Sequence, residues 1–435
     1  MKRLFIGALV CLSVCASFVF AAQPTLSERQ YRVIESLQSD LADEQFKQVI
    51  QDSTEASEAW DDGLGLVLLL QIRGQAFQLL EDDEAAIKAL ARAYALQQLN
   101  GTRQTQLAMQ LGQLYLSTDQ WSQTRELLSS ALDQPLPPDE NHPATAYVML
   151  ALAWQLDEKQ TMRWSESIPL LEKALLLSAD APELWLTLLA SAQYQVKDYA
   201  GAELTLKALI DRSSETTITQ SVSHKNYWLQ LASIQQLQGK TKAQLATLEL
   251  ADKLDILDSK DEVLLLSQLQ IMEGIPERAA RRLRKGLKSE QLENSVENQR
   301  RIAIALQQSR DYQGASDVLL ETAKSSGDVS YAVTALQLLL ADGRCESALG
   351  VSDWLIVNAS NKDSANAMIS AGQCALELKQ MDRARVYFQR ALKLPQTANA
   401  ARQWLDYLQV LAELERCVAS SLPHYCRWIH IKTTT

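Results

Sequence analysis

Residues 368–396 read MISAGQCALELKQMDRARVYFQRALKLPQ. Small residues stand at Ala371, Gly372, Ala384 and Ala391, and large ones at Met368, Tyr387 and Phe388. Apolar positions three and four apart give each of two helices one sticky stripe. The small residues let the two backbones approach closely. Pro395 then stops the second helix, because proline has no amide donor. The stretch reads as a pair of packed helices.

The same unit returns every 33 to 43 residues, from about Leu66 to Leu394. Trp228, Leu231 and Ala232 precede Leu248 and Ala251. Leu111, Gly112 and Tyr115 precede Leu128 and Ala131. Gly74, Phe77, Ala86, Leu90 and Ala93 form another copy. Further copies centre on Leu189 and Ala190, on Ser267 with Ala279 and Leu283, on Ala303 with Ala315 and Leu319, and on Leu336 with Ala348. A degenerate copy with a longer loop runs from Ala146 to Leu177. No copy is perfect, but nine stand in near-register.

These residues resemble the tetratricopeptide repeat (TPR) family, whose unit carries W-x2-L-G-x2-Y in its first helix and spaced small and bulky positions in its second. The resemblance covers roughly three quarters of the chain. It implies an all-α fold, an alpha-solenoid: a right-handed superhelix of tandem TPR-like helix pairs with capping helices. One pair cannot bury its apolar face alone, so stacking makes the core continuous and the ends need caps. The expected divisions are residues 1–21, a signal peptide; 22–60, a capping helix pair (Tyr31, Ile34, Leu37, then Phe46, Val49, Ile50); 61–397, the repeats; and 398–435, a closing helix (Trp404, Leu405, Leu408, Leu411, Leu414) with a disulfide tail.

The N-terminus has the three parts of a secretion signal. Lys2-Arg3 come first, an apolar run from Leu4 to Phe20 follows, and Val19-Phe20-Ala21 precede the expected cut. The rival reading is an uncleaved anchor, since the run is about the minimum for a span. Cleavage removes Lys2 and Arg3 and leaves 40 basic against 53 acidic residues, a balance of −13. Such a surface disfavours nucleic acid. The expected compartment is a bacterial periplasm.

The mature chain keeps Cys345, Cys374, Cys417 and Cys426. An even number in an oxidising compartment suggests two disulfides, with three possible pairings. The favoured set is Cys345–Cys374 and Cys417–Cys426. Cys417, His424, Cys426 and His430 also raise zinc, but their spacing matches no common structural site. His142 and His224 sit in stretches that read as loops. No nucleophile elbow, metalloprotease, dinucleotide or Walker motif is present, so no catalytic residue, metal or cofactor is expected. Asp61-Asp62 and Asp82-Asp83 read as helix-start caps.

Two partner-binding surfaces are expected. In the TPR family the first helix of each pair lines the concave groove. The residue after the small position should point into it. Here these residues are Gln75, Gln113, Ser191, Ser233, Gln268, Ile304, Gln337 and Gln373, with Tyr194, Met109 and Leu229 nearby as apolar anchors. Glutamine both donates and accepts, so the row suits an extended, uncharged backbone. Generic polar composition is the competing explanation. The Lys, Arg and Asn clamp by which some family members grip a C-terminal carboxylate is missing from these positions. The second surface is basic: Arg278, Arg281, Arg282, Arg284, Lys285 and Lys288 crowd one helix in an acidic chain.

The overall layout is similar to exported TPR proteins associated with TonB-type transport systems of marine gammaproteobacteria. That implies a partner among envelope proteins, a TonB-type complex component being one candidate, with membrane contact only through the partner or an uncleaved signal. An envelope-assembly factor that binds peptidoglycan or polysaccharide is the alternative.

Overall fold

The computed structural model describes residues 26–60, 63–215 and 222–420. Among them are 21 helices and no strand. None of these helices is long and apolar enough to cross a membrane. The chain divides into two compact units, the first ending with residue 215 and the second beginning after it.

The first unit begins with α1 (Glu28–Ala42) and α2 (Phe46–Glu58). Four pairs follow: α3 (Gly63–Leu79) with α4 (Asp83–Ala95), α5 (Thr102–Ser117) with α6 (Trp121–Leu132), α7 (Ala144–Leu156) with α8 (Arg163–Leu177), and α9 (Glu183–Gln195) with α10 (Tyr199–Glu215). The second unit holds α11 (Val222–Leu237) with α12 (Thr241–Lys253), α13 (Lys260–Met272) with α14 (Pro276–Lys288), α15 (Val296–Gln308) with α16 (Tyr312–Ser326), α17 (Ser330–Ala341) with α18 (Cys345–Asn358), and α19 (Asn361–Glu377) with α20 (Met381–Leu392). A longer α21 (Ala398–Ser420) packs on α20. Within each unit every helix packs on its neighbours in sequence. The protein is therefore an all-α solenoid of TPR-like helix pairs.

The packing rule within a pair is steric. Gly74, Gly112 and Gly372 stand in first helices, and Leu90, Leu128 and Phe388, each sixteen residues on, face them from the second helices. All three large residues are fully buried. A Cβ at Gly74 would lie 2.7 Å from Leu90 Cγ, and one at Gly372 only 2.6 Å from Phe388 Cζ. At Gly112 the nearest atoms would be 3.5 and 3.6 Å away, an ordinary contact.

The turn between paired helices is equally regular. Nine first helices end with one residue of positive φ two places beyond the helix: Glu44, Glu81, Asp119, Lys197, Gly239, Gly274, Arg310, Gly343 and Lys379. The next residue donates its N–H to the carbonyl five places back, as in Gln120 to Tyr115 (2.7 Å) and Gln380 to Ala375 (2.8 Å). This is the Schellman C-cap, which satisfies carbonyls the helix leaves open. Glycine adopts that conformation freely, yet six of the nine turns use charged residues. The second helix then starts one residue after the donor, so the turn is repeated by local chemistry.

The pair α7/α8 departs from this rule. Its loop is longer and is tied down by Asp157, whose carboxylate meets Arg125 at 2.9 Å with both side chains largely buried. Arg125 also lies over the Trp154 ring, 4.8 Å from its centre. Burial opposes the charged form of Asp157, but the Arg125 hydrogen bond and the Lys159 amide outweigh it and hold the carboxyl below its usual range.

His224 is not in a loop. It lies buried in α11, and Trp228 donates its indole N–H to His224 Nε2 at 3.1 Å. The pair sits one turn apart on one face, so the histidine completes the tryptophan's polar handle. His142 does lie in a loop but bridges Thr105 (2.9 Å) and the Gln134 carbonyl (3.0 Å). Asp82 caps α4, accepting from the Ala85 amide at 3.0 Å. Asp61 and Asp62 lie outside the described residues.

Candidate functional site

The groove register is tested first by exposure. Gln113, Ser191, Ser233, Gln268, Ile304, Gln337 and Gln373 are exposed on their first helices, and Gln75 is half-buried. Each follows a buried residue and all but Gln337 precede one, as at Leu111-Gly112 and Leu114 around Gln113. Tyr194 is also exposed, one turn beyond Ser191, and Met109 and Leu229 are half-buried. First helices of successive pairs are neighbours within a unit. In the first unit Gln71 on α3 donates to Gln110 on α5 at 3.3 Å. In the second, Gln268 on α13 and Ile304 on α15 line one open pocket of about 200 Å³.

That pocket has an apolar floor of Leu264, Ile271, Met272 and Leu283, with Ser267 and Arg301 beside it. Met272 is two-thirds exposed and Ile304 more than a third. An exposed aliphatic floor with one amide at its rim can take an apolar side chain and hydrogen-bond the backbone that carries it. Sequence reading placed Gln268 and Ile304 but missed the floor, of which Leu264, Ile271 and Met272 share the Gln268 face of α13 and Leu283 is added by packing from α14.

Glutamine has a second, structural role. Gln155 donates to Ser167 (2.9 Å), and Gln193 and Gln235 accept from Thr205 and Thr247 (each 2.8 Å). Each glutamine is buried in a first helix, and its hydroxyl partner lies twelve residues on in the second. A buried amide left unpaired is costly, so these bonds lock the helix pair. In two copies the exposed residue of the row stands two places before such a glutamine: Ser191 before Gln193 and Ser233 before Gln235. The exposed row and the buried glutamines therefore stand on different faces of the first helices.

The basic surface needs a correction. Arg278 pairs with Glu249 (2.9 Å), Arg282 with Asp252 (2.6 Å) and Lys285 with Asp255 (3.2 Å), all on α12 or just after it. The Arg282 side chain is only 4% exposed, and it also donates two 3.1 Å bonds to Gln291. Arg282 is an internal brace, unavailable to a partner, and Arg278 and Lys285 are already engaged. Arg281, Arg284 and Lys288 remain exposed.

Cys345 at the start of α18 and Cys374 in α19 are both buried and stand side by side as thiols. Cys345 Sγ donates to Glu377 Oε2 at 3.1 Å. Burial first, and then Cys374 and Glu377, push the Cys345 thiol up, while burial pushes up Cys374. The two members of the favoured pairing are thus neighbours, with no bond between them in this structure. The Cys417 side chain and residues 421–435, with His424, Cys426 and His430, lie outside the described residues. Among the described residues no group of three or more His, Cys, Asp and Glu side chains could hold a metal.

No protein-family model and no curated protein matches this chain. Solved structures do. The complex described as Naa15/Naa10 bound to HypK-THB is 15% identical at a TM-score of 0.44, over 93% of this chain and 65% of that one. This chain therefore spans just under two thirds of that structure's length. A tetratricopeptide repeat protein from Parabacteroides merdae is 14% identical at 0.29, over 61% and 99% of the two chains. The P58(IPK) TPR domain is 15% identical at 0.25, over 89% and 99%. At these values the likenesses carry no argument about partners. The helix pairs, their Schellman turns and their small-to-large packing are what establish the TPR-like solenoid.

Proposed function

We propose that this protein is a noncatalytic periplasmic scaffold that holds an extended segment of another envelope protein along its first helices. The observation that carries this reading is the pocket shared by Gln268 and Ile304. Two positions chosen by register alone face one open, apolar-floored space on consecutive first helices. An extended chain laid there gains a hydrophobic anchor and amide hydrogen bonds without needing charge. Ile304→Asp puts a carboxylate on that floor and is expected to weaken partner co-purification at least tenfold, about 1.4 kcal/mol. An unchanged melting temperature would show that the fold is intact. Wild-type retention by this variant would sink the groove reading.

Export rests on the Lys2-Arg3, Leu4–Phe20 and Val19-Phe20-Ala21 pattern. An exported chain meets an oxidising compartment, where adjacent buried thiols oxidise. Peptide mapping of protein isolated from cells without reductant should recover Cys345 joined to Cys374. Recovery of both as alkylated thiols would argue against export. An accessory role in TonB-dependent energy transduction is the finer form of the proposal, supported by overall layout alone. Its test is co-purification with a TonB-type component. The envelope-assembly alternative would be favoured if peptidoglycan or polysaccharide were retained instead.

A further inference from the structure

α14 carries cations on two faces. One face is paired within the chain, where α12 and the residues just past it offer Glu249, Asp252 and Asp255, at i, i+3 and i+6, to Arg278, buried Arg282 and Lys285, which also borders the cleft of the other face. The other face carries Arg281, Arg284 and Lys288, at i, i+3 and i+7, which form one stripe of about two turns, roughly 10 Å long. All three are exposed, and among the described residues none has an acidic partner at ion-pair distance. They line an open cleft of about 610 Å³. Buried Ala280 and Leu306 form its floor, and Ser309 and Asp311 its far side. Asp311 is committed to capping α16, accepting from the Gly314 amide at 2.9 Å. Glu277 is the remaining acid, at the N-terminal end of the stripe.

We propose that this cleft docks an acidic helix of a partner protein, which sets carboxylates against Arg281, Arg284 and Lys288 and a small apolar residue on Ala280 and Leu306. The inner face shows a similar match already made: two carboxylates on α12 and a third just past its end satisfy three cations spaced on α14. A helix presents its carboxylates pre-spaced, whereas a flexible polyanion would lose more freedom to reach the same three groups. Arginine favours carboxylate geometry through its planar fork. The inference is independent of the first-helix groove in its chemistry, because it rests on the cations of α14 and on no residue that lines the groove pocket.

The test uses the full chain and a fluorescent alanine-based helical peptide of about 15 residues, near the length at which isolated helices hold. One version carries Glu at i, i+3 and i+7, and a control carries Gln there. Fluorescence anisotropy should show binding of the Glu peptide that weakens as salt rises. Arg281→Glu with Arg284→Glu should reduce it at least tenfold, while Arg300→Glu on the neighbouring α15 should leave it unchanged. Equal binding of the Glu and Gln peptides, or indifference to the double reversal, would overturn the proposal. So would alginate binding that is lost in the double variant while the Glu peptide fails to bind, since the cleft would then belong to a polysaccharide.

Discussion

Gly372→Leu is expected to lower the stability of the second unit by about 3 kcal/mol. The cause is local and specific. A Cβ at Gly372 would sit 2.6 Å from Phe388 Cζ and 2.7 Å from Cδ1, closer than real Cβ contacts come. Phe388 has no room to retreat. It is fully buried, and its ring stacks on Trp404 at 5.6 Å with planes 5° apart. The helices α19 and α20 would have to separate, and close-packed interiors transmit such strain rather than absorb it. Even Gly372→Ala should be costly. The control is Gly112→Ala, where the facing atoms are 3.5 Å or more away. There alanine's better helix propensity should make the change neutral or mildly stabilising. Urea melts of the three variants check this. Equal behaviour of Gly112→Ala and Gly372→Ala would mean that glycine is not selected by close approach in these pairs.

Asp252→Ala is the second large effect, expected at about 3 kcal/mol. It removes the partner of a guanidinium whose side chain is 4% exposed. Gln291 can still accept from Arg282, but an amide oxygen does not neutralise a buried charge. Breaking one side of a buried pair costs far more than replacing both sides with apolar residues. The double change Asp252→Leu with Arg282→Met should therefore recover most of the loss. Thermal unfolding of the single and double variants measures the difference. A single variant that melts like the wild type would show that the pair is dispensable to the fold, and the two-faced account of α14 would lose its inner half.

The helix pairs were legible because their signal is steric and local. Gly74, Gly112 and Gly372 recur at one register with large residues sixteen on, and such positions read directly from a chain. The turns were less legible. Arg310 and Lys379 adopt a left-handed conformation usually given to glycine, so their residue types announce nothing. His224 reads as a loop residue because the repeat motif starts only at Trp228, whereas α11 begins at Val222, nearly two turns earlier. The basic patch shows the limit most clearly. Arg278, Arg282 and Lys285 find Glu249, Asp252 and Asp255 about thirty residues back, and only the packed helices reveal that three of the six cations are already paired. For the groove, the exposed residues followed from repeat register. The floor was half-legible: Leu264, Ile271 and Met272 share one face of α13 by helix periodicity, whereas Leu283 of α14 joins them only through packing.

The central claim, that the first-helix face holds the partner, is tested most directly by photo-crosslinking in living cells. A photoreactive residue is placed in turn at Gln113, Gln268 and Gln373, with a control at exposed Arg385 on the second helix α20. The account predicts one shared envelope protein captured from the three groove positions and not from Arg385. Equal labelling from all four positions would contradict it and leave the exposed glutamines as ordinary surface.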